Sequence, residues 1–416
     1  MIKPRSTSKL YLFGILLFGI TSGAALNVVI FTVPYQLIEA GYSLGAIGAI
    51  FLTGLPYCLK PIWAPFVDRY SIAFLCTTLG QRRGWALTTQ TALSLSTSML
   101  FVISPPEDLR ITACLVCAIA FFASIQDIIL DAYRIERPQS SEELSVATTF
   151  SAIGLRLGML ASSAGALFLS YTFGWNFAYI GAFIMTLIGP ITILFMQEPE
   201  VKEKRHVSEQ FMSLKQYFTT LSDSLSLLKS NQPRWLLLVL SILLYKVSDS
   251  VPMAMSSAFF IDLSFTSYEI AAISKSYGLV VMMIGCTLSG YLSSKIGIKR
   301  SFLICGIVQL LSPISLMLLA ILGHNVPVFV TVVTIQNFAS GLGGTALYIY
   351  FSSLCNSEFV ATQFSILSSF NTLSRILLSA LAGFMATSMN WLEFFLVVSV
   401  LGASFVIVLS RVNKES

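Results

Sequence analysis

Eight ionisable residues sit inside long apolar stretches of this 416-residue sequence: Lys60, Asp127, Asp131, Arg156, Lys246, Asp249, Lys275 and Arg375. A charge in such a place costs about 2.5–3.5 kcal/mol on insertion scales, so it faces a cavity, a partner or a passing ion. The set is mixed in sign. Lys and Arg suit an anionic group, and a carboxylate kept from water holds a proton more readily than one in solvent, which is what a proton carrier needs. Covalent chemistry has less support. The two histidines, His206 and His324, lie in loops, no HExxH is present, and the sequence holds no GxxxxGK[ST] phosphate loop. Cys114 and Cys117 form one CxxC without a second pair, and the other cysteines are scattered through apolar runs, so no metal site is expected. An enzyme is not expected, nor is any cofactor. If the protein moves a solute uphill, an ion gradient is its energy source.

The elements that position these charges are membrane spans. The chain is 55% hydrophobic and 11% charged, with mean hydropathy +0.80, against about 25% charged for a soluble domain. Apolar runs near the length that crosses a hydrocarbon core recur from end to end. They fall at about 10–33, 43–66, 85–104, 111–133, 147–171, 175–196, 235–260, 269–293, 301–322, 327–351, 361–386 and 391–411. The first follows Lys3, Arg5 and Lys9, but it is too long for a signal peptide's apolar region and lacks a small-residue cleavage site, so it reads as a retained span.

Charge orients the spans. The termini and even-numbered loops hold Lys3, Arg5, Lys9, Arg69, Arg82, Arg83, Arg134, Arg137, Lys202, Lys204, Arg205, Lys215, Lys229, Arg234, Lys295, Lys299, Arg300, Arg411 and Lys414, and the opposite loops hold only Arg110. The positive-inside rule puts both termini in the cytoplasm. This asymmetry, not a nucleic-acid surface, explains the net charge of +5.

The chain divides into a six-span bundle over 1–196, a cytoplasmic linker over 197–234 and a second six-span bundle over 235–416. In the linker, Phe211, Leu214, Phe218, Leu221, Leu225 and Leu228 recur at helical spacing, as in an amphipathic helix lying on the inner membrane surface. At about 1.5 Å per residue, Lys60 and Asp127 lie about 10 Å from the inner ends of their spans and Arg156 about 14 Å. A Lys60–Asp127–Arg156 cluster is therefore possible, with Asp131 one turn closer to the cytoplasm. Lys246 and Asp249, three apart near mid-membrane, can neutralise each other. Gly154, Gly158 and Ser162 recur every four residues on span five, as in close helix packing.

The loop after span two opens Pro65-Phe66-Val67-Asp68-Arg69-Tyr70 and continues to Gln81-Arg82-Arg83-Gly84. Its counterpart in the second half runs Gly290-Tyr291-Leu292-Ser293-Ser294-Lys295-Ile296-Gly297-Ile298-Lys299-Arg300. The pair resembles the G-x-L-x-D-R-x-G-R-R loop of the major facilitator superfamily, with Ser294 where the second copy's acid usually stands. The resemblance implies an all-α integral membrane fold of twelve helices in two pseudo-twofold-related six-helix bundles, with solute bound between them near mid-membrane. It also implies a cytoplasmic gate in which Asp68 and Arg69 act as a latch, with Arg82, Arg83, Lys299 and Arg300. Spans one, four, seven and ten line the cavity in that superfamily, and here they carry Asn27, Asp127, Lys246 with Asp249, and Gln336 with Asn337.

Longer segments resemble the AmpG-type muropeptide permeases of that superfamily. They are Lys60-Pro61-Ile62-Trp63-Ala64-Pro65, Ser124-Ile125-Gln126-Asp127-Ile128-Ile129-Leu130-Asp131-Ala132-Tyr133, Gly154-Leu155-Arg156-Leu157-Gly158-Met159 and Leu354-Cys355-Asn356-Ser357-Glu358-Phe359-Val360-Ala361-Thr362-Gln363-Phe364. This resemblance implies a bacterial inner-membrane permease, working as a monomer, that imports anhydro-muropeptides with the proton gradient. It brings Lys60, Asp127, Asp131, Arg156 and Gln363 into the solute- or proton-binding set, beside Lys246, Asp249, Gln336, Asn337 and Arg375. Gln336-Asn337 replaces a Glu that many members have on span ten. An acetyl-CoA-like or other bulky anion is the alternative solute, and a non-transporting sensor a more distant reading.

Overall fold

The computed structural model describes residues 9–103, 105, 107–199, 213–230, 235–266, 269–356 and 358–413. Lys3, Arg5, Lys202, Lys204, Arg205, Phe211, Arg234, Ser357 and Lys414 lie outside them, as do the side chains of Lys275 and Arg411. Among the described residues, twelve helices are long and apolar enough to cross a membrane, within a few residues of the ranges expected from hydropathy. Spans one to six are Lys9–Glu39, Ala49–Arg69, Gln81–Ile103, Leu109–Glu136, Ser141–Phe173 and Trp175–Phe195; spans seven to twelve are Trp235–Asp262, Ala272–Ile296, Ile298–Leu322, Val326–Leu354, Val360–Ala386 and Trp391–Leu409. The fold is all-α.

The chain forms two compact units. One takes Met1–Leu225 with Cys355–Ser369, and the other takes Ser226–Leu354 with Phe370–Ser416. The entry to span eleven thus packs with the first six spans.

In the first unit, spans one and five meet through glycines. A Cβ on Gly158 would stand 2.1 Å from the Ile20 carbonyl oxygen, and one on Gly154 2.2 Å from that of Leu16. Only a hydrogen fits, so the backbones touch, as the four-residue spacing predicts. Further along, both helices widen into π-type turns, at Val28–Thr32 and Ala161–Gly165. Asn27 Nδ2 donates to the Met159 carbonyl at 3.1 Å and Thr32 Oγ1 to that of Ser162 at 2.8 Å. These bonds give the local carbonyls donors where the ordinary helical ladder changes register.

Span two is not one helix. An α segment, Leu44–Leu52, gives way to a 3₁₀ turn at Leu55–Tyr57, and a new α segment runs Lys60–Arg69. Pro56 and Pro61 sit in the opening positions of the last two segments, where a missing N–H costs nothing, and both discourage a continuous helix. The break puts Tyr57, Lys60 and Trp63 on successive turns inside the membrane.

The sequence repeat has a structural signature at the far ends of the spans. Trp175, opening span six, donates its indole N–H to Glu39, closing span one, at 2.9 Å. Trp391, opening span twelve, donates to Asp262, closing span seven, at 2.7 Å. Each unit carries the same brace.

Candidate functional site

Span four begins with a cap, Asp108 accepting from the backbone N–H of Arg110 and Ile111 at 2.8 and 3.1 Å. It then presents Gln126, Asp127, Asp131 and Arg134. Lys60 Nζ donates to Asp127 Oδ2 at 2.8 Å, the side chains 13% and 16% exposed. The ammonium also lies 5.5 Å from the Tyr57 ring centroid, near enough for a cation–π attraction. Trp63 packs edge-on to Phe121 at 5.0 Å. Asp127 Oδ1, Tyr57 Oη, Trp63 Nε1 and Gln126 Oε1 are buried with no hydrogen-bond partner among the described residues. Buried polar atoms rarely stay unpaired unless they have work to do. The Lys60–Asp127 pair with Tyr57 therefore offers one cation, one carboxylate oxygen and one phenol.

The expected triad forms only in part. Lys60 and Asp127 meet, but Arg156 makes no hydrogen bond or ion pair among the described residues. Asp131 bonds to Arg134 at 3.0 Å, three residues along its own helix. Spacing along a span gives depth, whereas partnership also needs azimuth, and Arg156 stands on the face of span five turned away from Gly154 and Gly158, the face packed on span one.

In the second unit, Lys246 Nζ bonds to Asp249 Oδ2 within span seven, and Asp249 Oδ1 accepts from Ser340 Oγ on span ten at 2.7 Å. The pair lies one turn before Pro252, which cannot donate to the helix carbonyl behind it. Gln336 Nε2 donates to Ser256 Oγ on span seven at 2.6 Å. Asn337 donates to its own Val333 carbonyl at 3.0 Å and fills the space left by Gly278 on span eight. Spans seven and ten are thus joined by polar contacts at two levels. Arg375 is exposed on span eleven and makes no hydrogen bond or ion pair among the described residues.

Where spans two, three, four and eleven end or begin in the first unit lies a buried charge network. Arg82 Nη2 donates to Asp68 Oδ1 at 2.7 Å and to Glu136 Oε1 at 2.6 Å, the three side chains 0%, 0% and 3% exposed. Asp68 Oδ2 accepts the backbone N–H and hydroxyl of Thr362, at 2.8 and 2.7 Å, in the first turn of span eleven. A carboxylate there satisfies a free N–H and meets the positive end of the helix. Arg69 bonds to Glu358 at 2.8 Å and lies 4.6 Å from the Phe359 ring centroid. Gln363 accepts from Asn356 N at 2.6 Å and donates to the Ser224 carbonyl at 3.1 Å. It fixes the linker helix Leu214–Ser230 to the entry of span eleven.

The remaining gate residues divide. Arg83 donates to the Ile193 and Leu194 carbonyls at 3.2 and 3.0 Å, closing the end of span six. Glu198 accepts the backbone N–H of Arg82 and Arg83 at 2.8 and 3.0 Å, capping span three, and burial pushes its carboxyl above the ordinary value. Lys299 and Arg300 stand exposed at the start of span nine in the second unit. Along the linker helix, Leu214 and Phe218 are exposed while Thr220, Ser224 and Leu228 are buried. Leu221 and Leu225 are half-buried, so only the first part of the described apolar stripe is open to a membrane surface, and Leu228 packs inward.

Sequence reading overlooked Tyr57, Trp63, Gln126, Glu136, Ser340, Glu358 and Thr362. Trp63 and Gln126 lie in the segments quoted above, and Glu136 and Glu358 at span ends, where charge is cheap and attracts no notice.

A profile described as Major Facilitator Superfamily matches residues 11–358. The "Putative transporter AmpG 3" of Rickettsia prowazekii (strain Madrid E) is 53% identical over 388 residues, 93% of this chain and 92% of its own. The anhydromuropeptide permease of Escherichia coli (strain K12) is 30% identical over 391 residues, 92% of this chain and 75% of its own. Among solved structures, the major facilitator transporter FucP in its outward conformation superposes with TM-score 0.68 at 16% identity, covering 98% of this chain and 99% of its own.

Proposed function

This chain belongs to the AmpG-like branch of the major facilitator superfamily, and on that premise we propose that it imports anhydro-muropeptides across a bacterial inner membrane by proton-coupled alternating access. It is a multi-pass membrane protein. The observation that carries the reading is the Lys60–Asp127 pair, mostly buried at the break in span two, with one carboxylate oxygen unpartnered. A carboxylate that can leave its lysine is able to take a proton when a solute arrives. Asp249, held by Lys246 and Ser340, is the corresponding group in the second unit.

The basic loops support an orientation with both termini in the cytoplasm. On that side Asp68 and Arg69 act as the latch, holding Thr362 and Glu358 until solute and proton are bound. The relative in Escherichia coli named as an anhydromuropeptide permease supports the solute. The guanidinium groups of Arg156 and Arg375, without an ion-pair partner among the described residues, suit its carboxylates, and they suit a CoA-like anion as well. Uptake of labelled anhydro-muropeptide and of a labelled CoA ester into the same membrane vesicles separates the two. The proposal predicts saturable uptake of the muropeptide, and uptake of the CoA ester alone refutes it. Asp127→Asn and Asp249→Asn, made separately, test the proton step: if both still accumulate solute and respond normally to the gradient, neither carboxylate carries the proton.

A further inference from the structure

The cluster at the break in span two has the parts to choose among solutes as well as to carry a proton. Lys60 holds Asp127 at 2.8 Å, and its ammonium leans over the Tyr57 ring. Asp127 Oδ1 has no partner among the described residues, nor have the Tyr57 hydroxyl and the Trp63 indole N–H. The charged and titratable groups around Asp127 are few. Span two brings Lys60 and Tyr57, and span four brings Asp131, already bonded to Arg134. Arg156 of span five is turned away and makes no ion pair among the described residues, and spans one and three bring no charged residue at this level. One cation and one acid therefore dominate the balance, beside a Tyr57 hydroxyl that has no partner among the described residues.

From this geometry we infer that the Tyr57–Lys60–Asp127 cluster is a carboxylate-exchange subsite, where a carboxylate of the solute displaces Asp127 from Lys60 as Asp127 takes up one proton. The exchange balances. Asp127 passes from carboxylate to carboxylic acid, Lys60 stays an ammonium, and the solute carboxylate takes the vacated ion pair. The buried charge is the same before and after, so neither state leaves a lone ion inside the membrane, the costly alternative. Proton and anion then bind with mutual advantage, each raising the other's affinity by the same factor. The Tyr57 hydroxyl, buried beside the pair and without a partner among the described residues, supplies a donor for an incoming oxygen. The inference rests on the transport reading above and deepens it by naming what the solute must carry: a free carboxylate.

The test is equilibrium binding to the purified full chain, at acidic and at alkaline pH. The probes are a labelled anhydro-muropeptide with free peptide carboxylates and the same compound with those carboxylates amidated. Wild type is expected to bind the free acid about tenfold or more tightly on the acidic side, because one pKa unit of coupling is tenfold in affinity, and to bind the amide without pH preference. In Asp127→Asn, Lys60 is released, and the free acid is expected to bind tightly with no pH dependence. Lys60→Ala alone strands a buried carboxylate and can misfold, so the informative partner is the double variant Lys60→Ala/Asp127→Asn, in which free acid and amide should bind alike. The inference is overturned if Asp127→Asn keeps the wild-type pH dependence, or if the double variant still prefers the free acid. Wild type that binds neither probe brings down the solute assignment and this inference with it; wild type that binds both, with variants indistinguishable from it, brings down the inference alone.

Discussion

Replacing Asp68 by Asn changes one oxygen to an NH₂ group and removes one charge from a site with 0% exposure. Three donors converge on that carboxylate: Arg82 Nη2 on Oδ1, and Thr362 N and Oγ1 on Oδ2. An amide has one accepting end, so either orientation turns its NH₂ towards a donor. Breaking a buried pair on one side costs about 3–5 kcal/mol. Arg82 keeps Glu136 at 2.6 Å, which places the loss near the lower end, about 3 kcal/mol. At 1.4 kcal/mol per tenfold, the segment carrying Thr362 should open about a hundredfold more often. Cys355 reports that opening. It is the first residue of the same segment and is half-buried, and desolvation pushes its thiol well above the ordinary value, so it alkylates slowly while the segment stays packed. The assay is maleimide labelling of a chain that keeps Cys355 and has serine at Cys58, Cys76, Cys114, Cys117, Cys286 and Cys305. Asp68→Asn should raise the labelling rate by about a hundredfold, while buried Cys305, kept alone in a second variant, should label no faster. An unchanged Cys355 rate refutes the latch, and equal acceleration at Cys305 shows a general loss of stability instead.

The cap at Glu198 has a pH signature. Its carboxyl is pushed above the ordinary 4.5 by burial, so the folded chain binds the proton more readily and stability falls as pH rises from that value through the raised one. Glu198→Gln should flatten that slope in thermal unfolding across the acid range; an unaltered slope contradicts the assignment. The contact between spans one and five sets a second expectation. Gly158→Ala puts a methyl 2.1 Å from a carbonyl oxygen and should cost about 1–3 kcal/mol, whereas Gly165→Ala, with nothing within 4 Å, should leave the unfolding temperature unchanged. Equal unfolding temperatures for the two variants would show that the helices do not touch there. In the second unit, Ser340→Ala removes the 2.7 Å bond to Asp249 and should alter the pH profile of uptake if Asp249 takes part in coupling, as Ser340→Thr should not.

The spans were legible because hydropathy and loop charge are imposed by the bilayer on every residue. Depth along a helix was legible too, and it paired Lys60 with Asp127. Azimuth was not, which is why Arg156 was grouped with them although it stands apart. Pro56 and Pro61 were in plain view, yet a hydropathy window reads Leu44–Arg69 as nearly continuous and hides the break that positions the site. The partner of Asp68 was beyond reach for another reason. One of the three donors that reach it is the backbone N–H of Thr362, and main-chain donors leave no mark in a list of charged residues. Gln363 entered through family resemblance, and its bonds to Asn356 and Ser224 show a structural role in tying down the linker helix. The Trp175–Glu39 and Trp391–Asp262 braces repeat between the halves although the sequences around them share little beyond the tryptophan.

The central claim is that a proton gradient drives an anhydro-muropeptide through this chain. Its most direct measurement is uptake of the labelled compound by proteoliposomes containing only this protein, with an imposed inward proton gradient, with that gradient reversed, and with a protonophore. The account predicts accumulation above the external concentration with the inward gradient, and none with the gradient reversed or collapsed. Uptake that proceeds equally under all three conditions, or no uptake at all by folded protein, contradicts it.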